Sequence, residues 1–194
     1  MNNKHRNSQR RIYAENGIYF ITTKTYKSIK YFEEDIFCDL LVEEIKFCRE
    51  LMGFKIFGFK INPDHLHLLL QPAREYNYSK IMHFIKRNFS QNANKIIGHT
   101  QKGIGVPHRR RGCASPPSSE YVGVDAIVEK LRKKYLGKYG HDHKSIPFAW
   151  QASYHDHLIR GKKDFIAHLH YLNNQWIKHG LKENKYCFFG ALPW

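Results

Sequence analysis

Apolar and polar residues alternate along this chain with two different periods, and each period predicts one type of secondary structure. Apolar residues recur at helical spacing in Asp35 to Met52, Ser79 to Ile97 and Lys163 to Lys178. Runs typical of strands cover Gly17 to Thr25, Phe54 to Ile61, His65 to Gln71 and Ser153 to Ile159. The order strand, helix, strand, strand, helix, strand, helix predicts an α+β protein of the ferredoxin-like (RRM-like) fold, with helices on one face of an antiparallel sheet.

The stretch between the second helix and the fourth strand lacks this regularity. Gly98 to Asp125 is rich in Gly, Pro, Ser and Arg, and Asp125 to Lys138 then predicts a short basic helix. We expect residues 1–194 to form one domain that carries a partly mobile Gly/Pro/Arg-rich insertion at about 98–147.

The charge balance favours a polyanionic partner. The chain has 32 Lys and Arg against 17 Asp and Glu, a formal net charge of +15. A basic surface gains affinity for nucleic acid by releasing counterions from phosphates, and aromatic residues, 14% of this chain, stack on unpaired bases. Many housekeeping proteins are also basic, so charge alone does not indicate catalysis.

The cysteines and the N-terminus indicate the compartment. The four cysteines show neither zinc-site spacing nor a disulfide framework: Cys38, Cys48, Cys113 and Cys187. The basic N-terminal segment has no apolar region after it, unlike a signal peptide, and no apolar run is long enough to span a bilayer. We therefore expect a cytoplasmic protein.

The pattern His-x-His occurs four times, and the pairs differ in how well they suit a metal. His65 and His67 lie on a predicted strand, where residues two apart point to the same side. Leu66 and Leu68 then point into the core. Two imidazoles side by side on a rigid strand suit a metal ion, and two exposed histidines without a ligand are the alternative at this point.

The other three pairs are less suited to a shared ion. On a helix, a separation of two residues corresponds to a rotation of about 200°, which sends His168 and His170 to different sides. The pair at positions 141 and 143 lies in a Gly- and Lys-rich loop. The pair His155 and His157, near a strand end, stays a second candidate.

The last predicted helix carries two separate stripes. Its core stripe contains Phe165, Leu169, Leu172 and Trp176. A second stripe, about 100° around the helix, contains His168, Tyr171, Gln175 and Lys178. A phenol, an amide and a cation in one line favour a functional surface, although Tyr171 also fits a purely amphipathic edge position.

Four segments together resemble the single-tyrosine HUH transposases, including the REP-associated tyrosine transposases. The run Asn62-Pro63-Asp64-His65-Leu66-His67-Leu68-Leu69-Leu70 resembles the HUH signature, and Ile85 to Ser90 resembles the basic helix that follows it. Trp150-Gln151 with Tyr154 to Arg160 is similar to the segment before the catalytic helix, and His168 to Gly180 is similar to that helix.

The resemblance implies a site and a reaction. Tyr171 matches the nucleophile, and His65, His67 and Gln175 match the ligands of a divalent metal, Mg²⁺ or Mn²⁺. Glutamine at this ligand position is typical of the insertion-sequence branch, whereas the REP-associated branch has Asn followed by Pro, and this chain has Gln175-Trp176. The implied activity is nicking and strand transfer of single-stranded or hairpin DNA through a covalent 5′-phosphotyrosine.

The resemblance also implies possible partners and leaves alternative functions open. Candidate DNA contacts are Lys86, Arg87, Arg109, Arg110, Arg111 and Lys178. Relatives include homodimers that exchange the catalytic helix as well as monomers. The alternatives are a domesticated, catalytically inactive protein that binds nucleic-acid hairpins, and a nuclease in which water attacks. An RNA-recognition domain is disfavoured because the strands lack its aromatic motif.

Overall fold

The structure, a computed structural model, describes residues 11–99, 122–141, 143 and 145–190. In chain order its main elements are β1 (Tyr19–Lys24), α1 (Asp35–Met52), β2 (Lys55–Asn62), β3 (His65–Gln71), α2 (Tyr78–Ile96), α3 (Val122–Tyr139), β4 (His155–Leu158), α4 (Lys162–Lys178) and β5 (Cys187–Phe189). Among the described residues, no helix combines the length and the apolar character that crossing a bilayer requires.

The five strands form one antiparallel sheet in the order β4-β1-β3-β2-β5. Strand β3 is therefore central, and it carries both histidines of the HUH-like motif. In the register, Thr22 of β1 lies opposite His67, and Lys60 of β2 lies opposite His67 on the other side. The first four strands have the ferredoxin-like order, so the predicted α+β fold is confirmed.

The larger core lies on one face of the sheet, beneath α1, α2 and α3. Leu66, Leu68 and Leu70 of β3 point into it, as predicted from the alternation. The helix predicted at Asp125 to Lys138 is longer than expected and contributes Val124 and Val128 to this core. It is thus an integral layer of the described domain. Whether residues 98–147 are an insertion stays a prediction, and the proposed mobility falls mainly on residues 100–121, outside the described part.

Helix α4 lies on the opposite face, which the sequence analysis had left without a helix. Phe165 and Leu172 of α4 pack there against Leu69 and Phe57. Gly58 makes the close approach possible, because a Cβ at this position would lie 3.0 Å from Leu172 Cδ1. Burial on both faces explains the uninterrupted apolar run at the end of β3.

Strand β5 follows α4 and fastens its C-terminal end to the sheet. It pairs with β2, with Phe188 opposite Phe59. Just before it, Tyr186 donates a hydrogen bond to Asp39 of α1 at 2.8 Å, and Lys185 pairs with Asp35 at 2.6 Å. Three residues with no strong alternation did not suffice to predict this edge strand.

A buried carboxyl in the main core makes stability depend on pH. Glu44 of α1 is fully buried, accepts a hydrogen bond from Asn92 Nδ2 at 2.5 Å, and leaves Oε2 without a partner. Burial raises the pKa of Glu44 from its ordinary 4.5 to about 7. The folded state therefore holds this proton more tightly than the unfolded state, so stability falls as the pH rises from 4.5 to 7.

We expect Glu44→Gln to remove this decline in the free energy of unfolding, which amounts to at most about 3 kcal/mol. The variant should then be more stable than the wild type at pH 8. Urea unfolding at several pH values measures the free energy of unfolding. Glu43→Gln, a change at the neighbouring surface ion pair with Lys46, is the matched control. An unchanged pH profile in Glu44→Gln would contradict the interpretation.

Candidate active site

Two imidazoles from β3 converge beneath α4. His65 and His67 are 6% and 3% exposed, and their Nε2 atoms lie 3.1 Å apart. Both side chains occupy the face of the sheet that α4 covers, because residues two apart on a strand point the same way. The structure thus brings together the pair that strand geometry singled out.

Hydrogen bonds at the outer ring nitrogens orient the two imidazoles. His65 Nδ1 lies 2.5 Å from Asp64 Oδ1, and His67 Nδ1 lies 2.8 Å from Thr22 Oγ1. Each contact directs the opposite nitrogen, Nε2, into the shared space. Such outer partners of a histidine are a regular feature of metal sites, where they set the tautomer and the ring orientation.

Burial keeps both imidazoles neutral near pH 7. It lowers the pKa of His65, with Asp64 acting in the opposite direction, and it lowers the pKa of His67 to about 3. A metal ligand must offer a free lone pair, so neutral imidazole is the required form.

Helix α4 supplies the other two predicted site residues. Gln175 is 2% exposed and lies close enough to His67 to act on the pKa of that imidazole, yet its Oε1 is buried without a hydrogen-bond partner of normal geometry. The Tyr171 ring lies 5.2 Å from the His67 ring and remains 38% exposed. Lys178 Nζ lies 5.5 Å from the centroid of the Tyr171 ring. The site therefore joins a buried donor set to a solvent-accessible phenol.

The donor set fits a divalent cation. Ligands about 2.1 Å from an ion and at right angles to each other lie about 3 Å apart, which matches the separation of the two Nε2 atoms. The unpaired Oε1 of Gln175 is a third donor of suitable chemistry. Asn62, whose Nδ2 lies 3.0 Å from His65 Nε2 and whose Oδ1 is unpaired, adds an amide that can present nitrogen or oxygen. Two nitrogens with oxygen favour Mn²⁺ over Mg²⁺ on chemical grounds.

Two residues near the site were missed by the sequence analysis. The His179 ring lies 5.0 Å from the His65 ring, its Nε2 is buried without a partner, and burial lowers its pKa. Lys60 is fully buried, its Nζ donates to the carbonyl of Lys185, and burial lowers its pKa. A lysine inside an apolar strand was the available signal for Lys60, whereas His179 stood out only as one of many histidines.

The candidate DNA contacts are distributed unevenly. Lys178 adjoins Tyr171, and Arg87 is exposed on α2. Lys86 donates to the carbonyl of Gln151 at 2.8 Å, and burial lowers its pKa to about 8. Arg109, Arg110 and Arg111 lie outside the described residues. His168, on the predicted stripe with Tyr171, instead contacts the Phe20 ring at 4.5 Å.

Comparison with known proteins shows similarity to transposases. Residues 15–108 match the family model described as "Transposase IS200 like". The matched part contains His65 and His67 and ends before Tyr171 and Gln175. The resemblance to the single-tyrosine transposases is thereby confirmed.

Individual proteins are similar to this chain over most of its length. A protein of Haemophilus influenzae named as a REP-associated tyrosine transposase is 25% identical over 175 residues, covering 90% of this chain and 78% of the relative. A solved REP-associated tyrosine transposase, bound to a REP hairpin, is 17% identical with a TM-score of 0.47, covering 89% of this chain and 73% of that one. A transposase structure from Deinococcus radiodurans is 12% identical with a TM-score of 0.44, and the match covers 90% of this chain and 98% of that one.

The unpaired amide of Gln175 generates a testable trade-off between stability and metal affinity. We expect Gln175→Met to stabilise the metal-free protein, because a buried unsatisfied polar group costs about 1–3 kcal/mol, and to weaken Mn²⁺ binding about tenfold or more. Thermal unfolding in EDTA and calorimetric Mn²⁺ titration measure the two effects. Asn174→Met, an exposed neighbour on α4, is the control. Unchanged Mn²⁺ affinity in Gln175→Met would remove Gln175 from the ligand set.

Proposed function

We propose that this protein nicks and rejoins single-stranded or hairpin DNA, with Tyr171 as the attacking group. The observation that carries the proposal is the position of the Tyr171 ring, 5.2 Å from one of two buried, converging imidazoles. A partly exposed tyrosine beside a neutral histidine pair is accessible to a polymer backbone. The relationship to transposases supports the same reading.

In the proposed reaction, Tyr171 Oη attacks the phosphorus of a DNA phosphodiester. A bond forms between Oη and phosphorus, and the bond from phosphorus to the 3′ oxygen breaks. The phenol proton is released, and the departing oxygen gains a proton to become a 3′-hydroxyl. The DNA is left attached to the protein through a 5′-phosphotyrosine. A second 3′-hydroxyl can reverse the step and join a new strand. This joining needs no ATP, because the energy of the broken phosphodiester bond is conserved in the phosphotyrosine bond.

The residues around Tyr171 have distinct parts in this proposal. His65, His67 and Gln175 would hold Mg²⁺ or Mn²⁺, which would polarise a phosphate oxygen and offset its developing charge. Lys178, whose Nζ lies 5.5 Å from the centroid of the Tyr171 ring, would contact an oxygen of the same phosphate. Phe20, 5.8 Å from the Tyr171 ring, packs against the tyrosine and limits its orientations.

All four proposed catalytic and ligand residues come from one chain. His65 and His67 belong to β3, and Tyr171 and Gln175 belong to the α4 of the same chain. The proposed reaction therefore needs no second copy to complete the site. A homodimer that exchanges α4 is a separate arrangement, which would pair Tyr171 with the histidines of another copy.

A covalent-adduct assay tests the nucleophile. We expect the protein with Mn²⁺ and end-labelled hairpin DNA to form an adduct that survives denaturing electrophoresis, and Tyr171→Phe to form none. Tyr26→Phe and Tyr154→Phe are the controls, since Tyr26 is an exposed tyrosine just after β1 and both should retain the adduct. Cleavage that persists in Tyr171→Phe would indicate attack by water, and binding without cleavage by the wild type would indicate an inactive hairpin-binding protein.

The salt dependence of DNA binding tests the cationic contacts. Each lost phosphate contact lowers the magnitude of the slope of log K against log salt by about 0.7 for a single strand and about 0.9 for a duplex stem. We expect a loss of this size in Lys178→Gln and in Arg87→Gln, measured by fluorescence anisotropy with a labelled hairpin. Lys46→Gln, which removes a lysine paired with Glu43 on α1, should leave the slope unchanged. A wild-type slope in Lys178→Gln would exclude that lysine as a phosphate contact.

A further inference from the structure

A second group of potential metal ligands lies where β4 meets α4. His157 of β4 and Asp164 and His168 of α4 bring one ligand atom each to within 4.8 Å of one another. His157 Nε2 lies 2.9 Å from Asp164 Oδ2, and His168 Nδ1 lies 3.1 Å from Asp164 Oδ1. In the described part of the chain, no other group of three His, Cys, Asp or Glu meets this geometry.

The arrangement has the chemistry of a zinc site. Two imidazole nitrogens and one carboxylate are a common ligand set for Zn²⁺, and bonds of about 2.0–2.1 Å in a tetrahedron place the ligand atoms about 3.3 Å apart. The two nitrogen–oxygen separations, 2.9 and 3.1 Å, are slightly shorter than this value, and the two imidazole nitrogens lie within 4.8 Å of each other. The side chains are 41%, 26% and 22% exposed in the order His157, Asp164, His168, so a fourth position is open to water.

A backbone amide fixes the carboxylate in place, and the helix sets the side on which His168 lies. Asp164 Oδ2 also accepts a hydrogen bond from the amide of Arg160 at 2.9 Å, which orients the carboxylate. In the ion-free protein His168 Nδ1 lies 2.9 Å from the carbonyl of Asp164 and donates to it, a hydrogen bond that this nitrogen gives up when it binds an ion. Asp164 and His168 are one helical turn apart, so both project from the same side of α4. The His157 and His168 rings stack with centroids 4.9 Å apart. Without an ion, two N–H groups can share the carboxylate, which is the competing account.

We propose that His157, Asp164 and His168 form a second divalent-cation site, with ligands suited to Zn²⁺, that links the start of α4 to strand β4. His168 precedes Tyr171 by one turn, and the Phe20 ring contacts both side chains, at 4.5 Å and 5.8 Å. An ion here holds the helix that carries Tyr171 without touching the His65–His67 pair. Of the candidate pair His155 and His157, only His157 belongs to this group of ligands.

Zinc titration in a His65→Ala/His67→Ala background tests the site, because it removes the other histidine pair and needs no DNA. We expect one Zn²⁺ per chain by calorimetry, a visible absorption band with Co²⁺, and a higher melting temperature with Zn²⁺ than with EDTA. His168→Gln and His157→Gln should each weaken Zn²⁺ binding about tenfold or more. His170→Gln, at an exposed position two residues along α4, should leave it unchanged.

The outcomes distinguish a zinc site from a carboxylate that is merely shared by two imidazole N–H groups. Loss of zinc binding in His168→Gln, with retention in His170→Gln, supports the zinc site. A folded background protein that binds no Zn²⁺, or equal binding in both variants, overturns it and leaves a carboxylate shared by two imidazole N–H groups. His157→Gln changes an edge strand and not the helix, so it gives the same answer if His168→Gln disturbs α4. Neither result bears on the Tyr171 adduct.

Discussion

The packing of α4 on the second face of the sheet is the constraint on which the site depends. Phe165 and Leu172 press against Leu69 and Phe57, and Gly58 leaves room for Leu172. This contact removes water from the strand histidines, which lowers their pKa and frees their lone pairs. The same helix presents Tyr171 and Gln175 to that space. One apolar contact therefore sets the protonation state, the donor set and the position of the phenol together.

Much of the local structure could be predicted from the sequence. The bounds of α1 and β3 match the expected ones, and α2 and α4 begin and end within one residue of them. These elements have strong periodicity and clear ends, such as Gly53, whose positive φ of 65° closes α1. Strand alternation also predicted that His65 and His67 lie on the same side of β3, as the structure shows.

What the sequence did not predict depends on contacts between distant segments. The run of leucines at the end of β3 indicates burial on both faces, but not which helix covers each one. Strand β5 is three residues long and exists because β2 offers a free edge. His179 joins the site through packing alone, and Lys60, although unusual inside an apolar strand, is brought beside His67 by the pairing of β2 with β3. The grouping of His157 with Asp164 and His168 likewise required the β4–α4 contact.

The attachment of β5 also bears on how two copies of this chain can assemble. Because β5 pairs with β2 and its flanking residues bind Asp35 and Asp39 of α1, the chain is held to its own domain on the far side of α4. Exchange of α4 between two copies would therefore require one of two events. Either β5 moves together with α4, or the hydrogen bonds between β5 and β2 and the two contacts with α1 break. The contacts of β5 and its flanking residues therefore attach the C-terminal end of α4 to the sheet and to α1 of the same chain.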